Sequence, residues 1–85
     1  MKISFHPDSF ADFNDWALLD KGIYKKIVSL IKEIRREPFG GIGKPEPLKY
    51  NLSNYWSRRI TNEHRLVYKF SKDEIVIISC RGHYL

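Results

Sequence analysis

Ten residues near the middle of the chain, Pro38-Phe39-Gly40-Gly41-Ile42-Gly43-Lys44-Pro45-Glu46-Pro47, hold three glycines and three prolines. No helix interior or central strand tolerates that composition. Each proline removes an amide donor, and each glycine raises the entropy cost of ordering. The segment therefore divides the chain of 85 residues into two parts that fold by different periodicities. It is not a phosphate-binding P-loop, because the glycine spacing is wrong and Pro45, not Ser or Thr, follows Lys44.

The first part reads as one short strand and two helices. Ile3 and Phe5 alternate with polar neighbours, as in a strand over residues 1–5 that Pro7 ends. Asp8 or Ser9 then caps a helix whose apolar stripe is Phe10, Phe13 and Trp16, extended by Leu18 or Leu19. Asp20 caps a second helix of about sixteen residues, with Ile23, Ile27, Leu30, Ile31 and Ile34 at helical spacing. Arg35 and Arg36 suit its negative C-terminal end, and Pro38 stops it.

The second part reads as strands: a short one at 48–52, then 55–60, 65–70 and 75–81. Trp56, Arg58 and Ile60 share one face, opposite Tyr55, Ser57 and Arg59. Leu66, Tyr68 and Phe70 alternate with Arg65, Val67 and Lys69. Residues 61–64 form a turn, and Ser71-Lys72-Asp73-Glu74 forms a hairpin turn. The expected fold is α+β: an N-terminal strand and a helical hairpin on a twisted antiparallel sheet, as one domain over residues 1–85.

Charge is uneven along this order. Residues 1–43 carry seven basic and six acidic side chains, and residues 44–85 carry eight and four, so most of the net +5 lies in the strand half. That half suits an anionic partner, nucleic acid or an acidic protein. With one cysteine, Cys80, the chain forms no internal disulfide and no cysteine-based zinc cluster. Cys80 reads as a small buried hydrophobe, and His6, His64 and His83 lack metal-ligand spacing. The start shows no basic region followed by a long apolar run, so a cytoplasmic location is expected.

Several polar groups stand on stiff supports in the second half. Glu46 lies between Pro45 and Pro47, which restrict its backbone. Arg59, Arg65 and Arg81 lie on or at the ends of neighbouring strands, and Lys49 follows the loop. His83 and Tyr84 come directly after an apolar strand. Each taken alone is an ordinary surface group. Together they suit a metal-free ribonuclease, which needs a base for the ribose 2′-hydroxyl, a cation for the phosphate and an acid for the 5′ leaving oxygen. Glu46, Arg65 and His83 can fill those roles. A non-enzymatic nucleic-acid-binding module remains compatible with the basic strands.

Five stretches carry a resemblance over essentially the whole chain. They are Arg35-Arg36-Glu37-Pro38-Phe39, Gly43-Lys44-Pro45-Glu46-Pro47-Leu48-Lys49, Trp56-Ser57-Arg58-Arg59-Ile60, Glu63-His64-Arg65-Leu66-Val67-Tyr68 and Cys80-Arg81-Gly82-His83-Tyr84. In this order the sequence closely resembles the YoeB toxins of the RelE/ParE superfamily, from bacterial type II toxin–antitoxin systems. The resemblance implies a RelE-like fold and ribosome-dependent cleavage of A-site mRNA, without cofactor or metal. It implies Glu46 as general base, His83 as general acid and Arg65 at the scissile phosphate. Tyr84 then positions substrate, with Lys49, Arg59 and Glu63 in support, and Arg81 is grouped with these as a further cation. It also implies a YefM-like antitoxin, the 70S ribosome, operator DNA bound through the toxin–antitoxin complex, and homodimers. Where family members often carry an aromatic residue, this chain has Gly82, which removes a packing contact and is expected to loosen the tail. The ParE branch, which poisons DNA gyrase, shares the fold but has no need of an acid–base trio.

Overall fold

The structure, a computed structural model, describes residues 1–49 and 54–82. Its elements run β1 (Lys2–Phe5), α1 (Pro7–Leu19), α2 (Lys21–Arg36), β2 (Glu46–Pro47), β3 (Tyr55–Arg59), β4 (Arg65–Ser71) and β5 (Glu74–Ser79). The strands form one sheet in the order β1-β5-β4-β3-β2. No described helix is long and apolar enough to cross a membrane.

The α+β class and the helical hairpin match expectation; the sheet is mixed rather than purely antiparallel. β1 runs parallel to β5, with Ile3 opposite Ile75 and Phe5 opposite Ile77. Tight turns force β3, β4 and β5 to alternate in direction. β1 joins the sheet from the far side of two helices, so no turn dictates its direction. Side-chain alternation reveals faces and not direction.

Helix starts follow local capping chemistry, with one correction. α1 begins two residues earlier than an Asp8 cap allows and three earlier than a Ser9 cap: His6 is the N-cap, and its Nδ1 accepts from the Asp8 amide at 3.3 Å. Pro7 follows at the first helical position, where its missing donor costs nothing. Ser9 is buried, with Oγ 2.7 Å from the Ile77 carbonyl and 2.9 Å from that of His6. Asp20 caps α2 as read, accepting from the Ile23 amide at 3.1 Å. The strand expected at 48–52 is instead the two residues Glu46–Pro47, and positions 50–52 lie outside the described residues. β2 pairs Glu46 with Ser57 and Pro47 with Trp56.

The core lies between the helices and one sheet face. Ile27, Leu30 and Ile34 of α2 are fully buried, with Leu66, Tyr68, Ile75, Ile77 and Cys80 beneath. Each large aliphatic side chain so buried contributes about 1.5–3 kcal/mol. A bulge in β5 moves the register from Tyr68–Ile77 to Val67–Ser79. The extra residue lets Cys80 turn inward, where its thiol lies 3.5 Å from the Ser9 carbonyl.

One charge is buried within this apolar layer. Arg58 is fully inaccessible, between Trp56 and Ile60 on the helix-facing side of β3. Its Nε donates to the Tyr68 hydroxyl at 2.9 Å, Nη1 to Ile42 O at 2.8 Å, and Nη2 to Glu37 O at 2.7 Å and Pro38 O at 3.3 Å. The guanidinium thus ties the glycine- and proline-rich crossing to the sheet. Gly43 completes the approach: its φ is +87°, and a Cβ there would stand 2.7 Å from Leu30 Cδ2. Burial raises the Tyr68 hydroxyl above its ordinary pKa, partly countered by Arg58, so it stays a neutral partner.

Replacing Arg58 by Met should strand the Ile42 carbonyl and leave Glu37 O and Pro38 O with only longer contacts, from the Gly40 amide at 3.4 Å and the Tyr68 hydroxyl at 3.3 Å. The expected loss is about 3 kcal/mol, lowering Tm by roughly 10–20 °C. Arg59→Met, on the exposed side of the same strand, should change stability by less than about 0.5 kcal/mol. Thermal unfolding of the two variants makes the comparison, and equal effects would refute the role given to Arg58.

Candidate active site

The opposite sheet face carries a row of residues set by register. Glu46 lies opposite Ser57, Ser57 opposite Val67, and Val67 opposite Ser79, across β2 to β5. Arg65 stands two residues from Val67 on β4, diagonal to Ser57, a separation that a long side chain spans. Its Nη2 donates to Glu46 Oε1 at 2.9 Å, and Nε and Nη2 lie 3.2 and 3.1 Å from Ser57 Oγ. Proline-flanked Glu46 and strand-borne Arg65 are therefore brought together, with buried Ser57 as the guide. The strand pattern placed Ser57 on this face without marking it as a partner of Arg65.

The pair is asymmetric. The Arg65 side chain is 12% exposed and that of Glu46 is 60% exposed. An ion pair open to water on one side contributes only about 0.2–1 kcal/mol. Either group can exchange its partner for an incoming ligand at small cost, while Ser57 keeps the guanidinium aimed. The exposed carboxylate is a proton acceptor, and the guanidinium is suited to bidentate binding of a phosphate. Among the described residues, no three His, Cys, Asp or Glu side chains cluster as a metal site.

Arg59 pairs in register with Arg65, is exposed, and donates its amide to Gly43 O at 2.7 Å. Lys49 is exposed two residues after β2. Glu63 is exposed in the turn before β4, its amide donating to Thr61 Oγ1 at 3.1 Å. Arg81 is directed elsewhere, to α1: its Nη1 lies 3.8 Å from Asp12 and 4.0 Å from Asp15, and its guanidinium is 5.1 Å from the Trp16 ring centre. His83 and Tyr84 lie outside the described residues. The residue before them, Gly82, is held on both sides of its backbone. Its carbonyl accepts from the Arg65 amide at 3.0 Å, and its amide donates to His64 Nδ1 at 2.8 Å. These bonds hold the backbone of Gly82 itself, whose φ of +84° is a conformation that favours glycine, and the tail it was expected to loosen lies outside the described residues.

The family profile described as the YoeB-like toxin of bacterial type II toxin-antitoxin systems matches residues 5–84. The chain belongs to the YoeB-like toxins. It is 56% identical to Toxin YoeB of Escherichia coli over 84 residues, 99% of this chain and all of that one. Its structure is similar to a YoeB/ParE toxin from Agrobacterium tumefaciens, with TM-score 0.95, 45% identity, and coverage of 99% and 100% of the two chains. A YoeB from Staphylococcus aureus, 48% identical, was solved as a dimer and in a heterotetrameric YoeB–YefM complex, with TM-scores of 0.91 and 0.89. Each of these two comparisons covers 99% of this chain and 98% of the other.

The toxin's one thiol is excluded from nucleophilic work. Burial, reinforced by Asp12 and opposed by Arg81, pushes the Cys80 pKa up to about 12. The group remains a neutral thiol at any physiological pH. Native toxin should therefore resist alkylation by iodoacetamide at about pH 8, and urea-unfolded toxin should react at the rate of an ordinary thiol. Mass spectrometry of the two samples checks this, and rapid native labelling would contradict the burial.

Proposed function

We propose that this toxin is a metal-free mRNA endoribonuclease that cuts message in the ribosomal A site and so inhibits translation. The observation that carries the reading is the contact of Arg65 with Glu46 at 2.9 Å, guided by Ser57. That geometry pairs a proton acceptor with a phosphate-binding cation. Glu46 takes the proton of the ribose 2′-hydroxyl, and the oxygen attacks the adjacent phosphorus. Arg65, supported by Arg59 and Lys49, stabilises the added negative charge. His83 gives a proton to the departing 5′ oxygen, Tyr84 stacks on a base, Glu63 supports the surroundings, and Arg81 acts only indirectly, through its contacts with Asp12, Asp15 and Trp16. The products are a 2′,3′-cyclic phosphate and a 5′-hydroxyl, with no cofactor.

The ribosome contributes by presenting an already oriented message, which reduces the ordering left to a small protein. A net charge of +5 favours approach to RNA-rich surfaces and makes binding sensitive to salt. The same charge suits an acidic, YefM-like antitoxin. The Staphylococcus aureus relative forms both a YoeB–YefM complex and a dimer. We extend both assemblies to this toxin, with operator DNA bound through the antitoxin complex and a cytoplasmic site of action.

Cleavage mapping on programmed ribosomes tests the reading. Wild type should cut at codon-defined positions, and Glu46→Ala and His83→Gln should each lose at least about a hundredfold in rate. Unimpaired cutting by both variants would refute the roles. Gyrase-dependent DNA breaks without mRNA cleavage would replace the reading with the ParE one. Where cutting limits the rate, the paired acid and base roles call for a bell-shaped pH profile, and a flat profile from about pH 5 to 9 would refute them.

A further inference from the structure

His64 meets Gly82 at the point where the chain leaves the sheet. A main-chain amide only donates, so Nδ1, 2.8 Å from Gly82 N, carries the lone pair, and the proton of the neutral ring is on Nε2. The next residue, Arg65, donates its amide to Gly82 O at 3.0 Å. Two consecutive residues thus grip both backbone polar groups of Gly82. The gripping ring is itself held. It stands edge-on to Trp16, with centroids 4.8 Å apart at 70°, and the His64 amide bonds Thr61 Oγ1 at 3.1 Å. Trp16 also holds the preceding turn, its indole donating to Cys80 O at 3.1 Å beneath the Arg81 guanidinium. The backbone here is left-handed: Gly82 has φ +84°, although a Cβ there would meet nothing within 4 Å. The glycine therefore answers a conformational demand made by the grip and not by crowding.

We propose that His64 is a positioning residue: its Nδ1 clamps Gly82 and so fixes the direction in which the chain departs toward His83. The clamp is built on the same residue pair that supplies the site, since Arg65 holds Gly82 with its amide and Glu46 with its side chain. The consequence for catalysis rests on the nuclease reading above; the clamp itself does not. Its role is distinct from packing, because the acceptor nitrogen and the ring that contacts Trp16 can be separated by substitution. His64→Phe keeps a ring and removes the acceptor. His64→Asn removes the ring and places an amide oxygen close to the position of Nδ1.

Full-length wild type, His64→Phe and His64→Asn are compared by single-turnover mRNA cutting on programmed ribosomes and by amide exchange at Gly82 in the free proteins. His64→Phe should cut about 10–100-fold more slowly, with affinity for the programmed ribosome changed less than about twofold. His64→Asn should recover to within about threefold of wild type. Gly82 exchange should be slow in wild type and His64→Asn and fast in His64→Phe, with all three folded by thermal unfolding. Wild-type cutting by His64→Phe, or an equal loss in His64→Asn, overturns the catalytic consequence. Fast Gly82 exchange in wild type overturns the clamp. If wild type cuts nothing, the nuclease reading fails and the catalytic consequence with it, while slow exchange lost only in His64→Phe still supports the clamp.

Discussion

The buried guanidinium of Arg58 is the contact on which the site depends. Removing such a charge from water costs several kcal/mol unless hydrogen bonds replace hydration. Here the replacements are the carbonyls of Glu37, Pro38 and Ile42 and the Tyr68 hydroxyl. The three carbonyls belong to the end of α2 and the crossing that follows, which has no ladder of its own to satisfy them. One group therefore meets two needs: the charge gains acceptors and the crossing gains donors. The path of the crossing decides where Glu46 arrives, and Glu46 arrives opposite Ser57.

Strand parity then divides the arginines among different tasks. On β3, Arg58 faces the helices and is sealed in, while the adjacent Arg59 is exposed on the other side. On β4, Arg65 shares the outer face with Arg59 and reaches back to Ser57 and Glu46. A fully buried cation holds structure because it cannot leave without stranding its acceptors. A largely buried cation with one open partner can receive an anion with little reorganisation. That difference in solvent access separates the scaffold arginine from the proposed catalytic one.

The far end of the sheet is organised around Trp16. Its ring meets His64 and lies under Arg81, and its indole nitrogen bonds Cys80 O. An α1 residue thereby sets the turn through which β5 runs toward the chain end. The bulge at the end of β5 is part of the same arrangement, since it turns Cys80 inward beside Ser9. Trp16 reads in the sequence as one member of a hydrophobic stripe, and its polar and cation contacts involve residues more than sixty positions away.

Local order was largely legible. Helical spacing located α1 and α2, Asp20 marked their junction, and alternation located β3, β4 and β5 together with their faces. These signals arise from neighbours within a few residues, so the sequence by itself determines them. The grouping of Glu46 with Arg65 was also legible as chemistry, through the needs of phosphodiester cleavage and the family resemblance. Tertiary structure alone decided the parallel direction of β1, the burial of Arg58, the turn of Arg81 toward Asp12 and Asp15, and the grip of His64 on Gly82. Each depends on which residues meet across the sheet or between sheet and helix. Periodicity along a chain assigns a side chain to a face, but only the folded partner on that face determines whether a charge becomes a scaffold, a ligand site or a tether.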